Sequence, residues 1–163
     1  MDATSVSAQS APDYGMREVL ITRVFDAPCS TVFHAWTDPK HLTRWWGPRG
    51  FTNPVCEFDA RVGGAVRIVM RGPDGADYPM IGEVLDVDEP KLLVFTGIAV
   101  DSEGNHLLEG VTRVLFEDIE GKTKLTMATR AVAKVPLATA FLAGMDAGWT
   151  QSIEKLGEFL AGS

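Results

Sequence analysis

Residues 136–160, PLATAFLAGMDAGWTQSIEKLGEFL, decide the fold. Leu137, Phe141, Met145, Trp149, Ile153, Leu156 and Leu160 recur there at steps of three and four, the spacing of one stripe on an α-helix. Pro136 suits the first turn, where a missing amide N–H leaves no bond unmade. Upstream of this stretch the apolar period is two. The change predicts one long amphipathic helix from Pro136 to Leu160, laid on an antiparallel sheet. Gly144 and Gly148 sit inside that helix beside the stripe. Each costs about 1 kcal/mol relative to alanine, so either vacant space or close backbone approach must account for them.

Working outward, β-branched runs alternate with turns. Residues 17–26, REVLITRVFD, predict a first strand that ends at Ala27-Pro28. In 55–62, VCEFDARV, Cys56, Phe58, Ala60 and Val62 alternate with Glu57, Asp59 and Arg61, giving one buried and one wet face. Gly63-Gly64 turns the chain into 65–71, and Pro73-Asp74-Gly75 is a hairpin signal leading to 77–87. Further strands are expected at 91–100, 110–119 and 123–132, the last two joined through Glu120-Gly121-Lys122. Between the first two strands lie two short helices. STVFHAWT (30–37) offers Val32, Phe33 and Trp36, with Ser30 or Cys29 as cap, and Asp38-Pro39 opens PKHLTRWW (39–46), which Gly47-Pro48 stops. The order strand, two helices, six strands, long helix is an α+β fold. A curved antiparallel sheet of about seven strands grips the C-terminal helix and encloses space against it, where a ligand would sit. One domain is expected over 16–163, behind a disordered leader at 1–15 rich in Ser, Ala and Thr.

Composition is that of a globular domain, 45% hydrophobic and 23% charged. A net charge of −7, from 15 Lys and Arg against 22 Asp and Glu, argues against nucleic acid as a partner. The N-terminus has no basic, then apolar, signal pattern, and no apolar run approaches the ~20 residues of a membrane span. A cytoplasmic protein is expected. Two cysteines, Cys29 and Cys56, are too few for a disulfide scaffold and are expected as reduced thiols.

Several stretches also resemble a known family: VFDAPCSTVFHAWTDPKHLTRWWGPRGFTNP (24–54), CEFDARVGG (56–64), GEVLDVDEPKLLVFT (82–96) and GMDAGWTQSIEKL (144–156). Together they are similar to bacterial proteins resembling the C-terminal domain of the heat-shock-protein-90 ATPase activator. These belong to the helix-grip (SRPBCC, START-like) superfamily, with START lipid-transfer domains and aromatase/cyclases. The resemblance implies a helix-grip fold with a deep apolar cavity and no shared catalytic residues. It also implies a tie to chaperones and the stress response.

The candidate ligand-binding set is Trp45, Trp46, Met70, Met80, Phe95, Phe141, Met145 and Trp149, because flexible methionine beside tryptophan and interior glycine makes an adaptable wall. Trp45 and Trp46 also suit a structural role, anchoring the short helix on the sheet. No catalytic residue, metal or cofactor is expected. His34, Asp38 and His41 have the spacing of a metal-binding face, but Pro39 interrupts the helix and Asp38 suits an N-cap better. His106 falls in a polar loop and is expected to be solvated. Arg67 alternates with Val66 and Ile68 and should point outward, while Glu83 is the other charge within an apolar strand. Non-catalytic binding of an apolar or aromatic small molecule ranks first. A chaperone-associated or regulatory interaction module, whose partner could be a chaperone or a second copy of the chain, ranks next. A polyketide-cyclase-like enzyme ranks third.

Overall fold

A computed structural model describes residues 14–162 of the chain. Residues 1–13 of the expected leader lie outside the described residues. Pairing already begins at Tyr14, whose amide donates to the Ala133 carbonyl at 3.2 Å.

Seven strands form one antiparallel sheet: β1 (Met16–Phe25), β2 (Thr52–Phe58), β3 (Ala65–Arg71), β4 (Asp77–Asp88), β5 (Leu92–Val100), β6 (His106–Ile119) and β7 (Lys122–Ala133). Their spatial order is β1-β7-β6-β5-β4-β3-β2. Only the step from β1 to β2 leaves the meander, and α1 (Cys29–Thr37) and α2 (Pro39–Trp45) fill it. The turns follow their chemistry. Ile119 pairs with Lys122, and the two residues between them, Glu120 (φ 53) and Gly121 (φ 87), carry the positive φ a tight two-residue hairpin needs. Asp38 caps α2 through its side chain, accepting from the Lys40 amide at 2.9 Å. Asn53 closes the other end, its Nδ2 donating to the Thr43 and Trp46 carbonyls at 3.0 and 2.9 Å.

Four local expectations are corrected. The cap of α1 is Pro28, with no side-chain bond, because Cys29 already lies within the first turn. β2 ends at Phe58, since the chain turns at Asp59 to Gly64, so Ala60 is exposed and Val62 is 66% exposed. The C-terminal helix is not continuous. A 3-10 turn (Pro136–Ala138) and α3 (Thr139–Ala143) precede α4 (Met145–Ala161), and Gly144 makes the joint at φ −92, ψ −1. Leu137 is therefore off the stripe, 68% exposed, while Ala138 and Leu142 turn inward instead.

One face of the sheet holds the core. Its side chains form rows across β5, β6 and β7: Leu93–Val114–Met127, then Phe95–Thr112–Thr129, Gly97–Gly110–Ala131, and Ala99–Leu108–Ala133. The first row is fully buried, under a lid formed by Phe33 and Trp36 of α1 and Ile153 and Leu156 of α4. From the third row onward the side chains shrink to glycine and alanine at most positions; Ala131 and Ala133 pack with Ala138 and Leu142, and the space beside them is unfilled.

Candidate functional site

That loss of side-chain volume leaves a cavity of about 440 Å³ between the sheet, α3 and the first half of α4. Its floor is the pair Gly97 and Gly110 with Ala99 and Ala131 around it. The inner wall is aromatic. Trp46 meets Trp149 edge to face at 5.3 Å and Phe95 at 6.2 Å. Behind this wall Trp36 stacks on Trp149 at 6.3 Å, and Phe58 packs edge-on against Phe95 at 5.4 Å. Half-buried Phe51, Tyr78 and Phe141 stand at the rim, with Tyr78 to Phe51 at 5.9 Å and to Phe141 at 6.4 Å. Rings that brace one another in this way resist collapse into the void.

Of the eight residues expected to bind ligand, Trp46, Met70, Met80, Phe95, Phe141, Met145 and Trp149 line the cavity. Trp45 does not. It is fully buried behind the wall, its ring 4.7 Å from Trp36 and its Nε1 donating to the Ala35 carbonyl at 2.8 Å, which ties α2 to α1. Sequence reasoning missed the floor and the polar spots: Gly97, Gly110, Thr112, Thr129 and Ser152. The signal was present in strand parity, because Gly97 shares a face with Phe95, and Gly110 and Thr112 with Val114.

The helix glycines belong to the cavity. A Cβ on Gly148 would touch only Pro48 Cγ, at an ordinary 3.6 Å, and one on Gly144 only its own helix's carbonyls, at 3.7 and 3.9 Å. Neither marks close approach of another backbone. Gly47 is constrained differently, with φ +93 and Met70 Sδ 2.9 Å from where a Cβ would stand.

The loop from Gly47 to Phe51 borders the cavity and is fastened to α4. Arg49 grips Glu158 through two nitrogens, at 3.2 and 2.6 Å, and lies 3.6 Å from Glu154. Its amide donates to Gln151 Oε1 at 3.1 Å, and Lys155 Nζ donates to the Gly47 carbonyl at 3.1 Å. The Arg49 hydrogen bonds hold the Glu158 carboxyl below its ordinary range. Burial, then the nearby Arg49 charge, holds the Lys155 ammonium below its own.

The remaining candidates lie elsewhere. His34 pairs with Glu89 at 3.0 Å, the His41 ring packs 5.4 Å from Phe159, and exposed His106 pairs with Glu109 at 2.7 Å. Among the described residues no three His, Cys, Asp or Glu side chains gather as a metal site. Arg67 and Glu83 are exposed on the outer face, Arg67 within 4.0 Å of Glu57. Both cysteines are free, and burial pushes the Cys56 thiol up to about 11, so it is protonated at neutral pH. No described helix is long and apolar enough to cross a membrane.

The model of the family "Activator of Hsp90 ATPase homolog 1-like protein" matches residues 26–161. A comparison with curated proteins gives no match. Among solved structures, a protein from Arthrobacter aurescens is 28% identical, over 90% of this chain and 87% of its own, with a TM-score of 0.75. Protein Ms6760 from Mycobacterium smegmatis is 27% identical, over 90% and 91%, with a TM-score of 0.73. The AHSA1 protein from Silicibacter pomeroyi, at 24% identity over 89% and 98% and a TM-score of 0.73, shares the fold.

Proposed function

The chain belongs to the Activator of Hsp90 ATPase homolog 1-like protein family, and from that premise we propose that it binds an apolar or aromatic small molecule without transforming it. The lining of the cavity carries this reading. At about 440 Å³ the space is within the range of small-molecule sites, and its border holds six aromatic rings and three methionines. Among the described residues no Asp, Glu, His, Cys, Lys or Arg borders it. General acid–base and nucleophilic catalysis draw chiefly on such groups, and the hydroxyls of Tyr78, Thr112, Thr129 and Ser152 have no base among the described lining residues to activate them. A cyclase-like enzyme therefore ranks behind a binder. Cytoplasmic residence, with Cys29 and Cys56 as thiols, accords with this role.

Native mass spectrometry of freshly purified protein is the direct test, with a retained molecule that an added naphthalene probe displaces as the expected result. Protein that carries nothing and takes up no apolar probe would set the reading aside.

The family's name supports a second reading, as a chaperone-associated or regulatory module. Leu20, Ile81 and Val111 are 71%, 40% and 43% exposed on the outer face of the sheet, where a protein partner or a second copy could rest. Stimulation of an Hsp90 ATPase that is lost on changing Leu20 and Ile81 to Ser would support it; an unchanged rate with the parent protein would exclude that activity.

A further inference from the structure

The hydroxyl groups of the cavity say what kind of molecule it takes, an inference that rests on the binding reading above. Thr112 and Thr129 face each other across β6 and β7 in the cavity wall. They are 5% and 6% exposed, and their Oγ1 atoms are 2.9 Å apart. Each hydroxyl owns one hydrogen and two lone pairs. Thr129 Oγ1 also lies 3.3 Å from the Val111 carbonyl oxygen, which can only accept. When Thr112 donates to Thr129 and Thr129 donates to Val111, both hydrogens are bonded. With the opposite polarity the Thr112 hydrogen would point into an apolar void and the Val111 bond would be lost. A buried donor without a partner is costly, so the first polarity is the resting one. It leaves two lone pairs on Thr112 and one on Thr129 without a donor among the described residues. Ser152, 4% exposed, donates to the Gly148 carbonyl at 2.9 Å and likewise keeps only lone pairs for the cavity.

These hydroxyls therefore await a donor. We propose that the cavity takes an uncharged, flat molecule carrying a hydroxyl or N–H group, with that donor on the Thr112–Thr129 pair and its ring over Gly97 and Gly110. The glycine pair is the next row of the sheet, two residues or about 6.7 Å along the strands, which is the reach of one ring and its substituent. Gly110 has no Cβ to hold a flat ring off its backbone, while over Gly97 the ring meets the flexible Met80 side chain, whose Sδ stands 3.0 Å from where a Gly97 Cβ would be. A carboxylate or ammonium would be buried with no charge among the described lining residues to pair it. An acceptor at the threonine pair would set lone pair against lone pair unless Thr129 released Val111.

Naphthalene, 2-methoxynaphthalene and 2-naphthol share one ring frame and differ at one group. Equilibrium titration of each into the full chain should show 2-naphthol binding about tenfold tighter than its methyl ether. In Thr112→Val, which keeps the side-chain shape, that ratio should fall close to one. Thr112→Ser should restore the ratio, and Thr129→Val gives a second route should the first variant fail to fold. Equal binding of the naphthol and the ether by the parent protein, or a ratio undiminished in both valine variants, overturns the donor assignment and leaves apolar binding standing. Failure of all three probes to bind overturns both.

Discussion

The two ends of the sheet's inner face are made by the same three strands, yet one end is solid and the other hollow. Where α1 and α4 cover it, Leu93, Val114 and Met127 are fully buried beneath Trp36, Ile153 and Leu156. Two rows further on, the same strand positions hold Gly97, Gly110 and Ala131, and a cavity lies over them, with the Met80 side chain against Gly97. Backbone pairing is unbroken between the two, so side-chain size and the covering helix, not a break in the sheet, make the difference. An apolar void forfeits the dispersion contacts of its lining and tends to close unless the walls are stiff. Here the wall is the aromatic run of Phe95, Trp46 and Trp149, backed by Phe58, Trp36 and Trp45. The solid end is what props the hollow end open.

Removing that prop is the strongest way to break the comparison. Trp45→Ala deletes a fully buried ring and the anchor to the Ala35 carbonyl, and should cost about 3–5 kcal/mol in chemical denaturation. Phe141→Ala, at the rim of the hollow, should cost about 1 kcal/mol and act mainly on probe affinity. Equal losses from the two would mean that the ends do not differ as drawn.

Adding volume sharpens the comparison from the other side. Ala35 and Ala131 are both buried, at 0% and 3%, one in the solid end and one in the cavity wall. Ala35→Leu should overpack α1 and cost about 1–3 kcal/mol. Ala131→Leu has room to extend into the void, so its stability should stay within about 0.5 kcal/mol of the parent, while binding of a naphthalene probe is lost. A large destabilisation by Ala131→Leu would show that the hollow is already filled in solution.

Sequence legibility divides along the same line. The solid end was plain because large apolar residues at period two in the strands and at three and four in the helix announce burial directly. The hollow was half plain. Seven of the eight expected residues lie in the wall because aromatic and methionine side chains stand out, whereas Gly97 and Gly110 read as weak strand positions until their partners place them in one row. Trp45 was misplaced because consecutive tryptophans look alike in a string, and only the pairing of its Nε1 with Ala35 turns it away from the cavity. Gly144 is legible as an anomaly but not as a joint, since its φ −92 and ψ −1 lie in a region that residues other than glycine also adopt.

Gly148 tests the same division with a smaller change. Its added Cβ would meet Pro48 Cγ at 3.6 Å, an ordinary contact, so nothing opposes the gain in helix propensity. Gly148→Ala should raise stability by up to about 1 kcal/mol and weaken probe binding slightly by narrowing the cavity. A destabilised variant would instead mean that Gly148 is packed more closely in solution than this ordinary contact allows.

The smallest effect concerns the fastening of the rim loop to α4. Glu158 is ionised more readily in the folded chain than in an unfolded one, chiefly because Arg49 donates to it. A carboxyl held low contributes stability that is complete above its unfolded pKa, about 4.3, and disappears as pH falls through the lower folded value. Nothing should change between pH 8 and 5. Below about pH 4 the Arg49–Glu158 pair should weaken, the loop from Gly47 to Phe51 should lose its tie, and naphthalene should enter and leave faster with little change in melting temperature. The pair is exposed, so its worth is small and should shrink further in high salt. Arg49→Met should show the fast exchange already at pH 7 and no acid step. If the parent and Arg49→Met keep identical rates across that range, the ligand passes some other edge of the cavity, and the loop is a wall rather than a door.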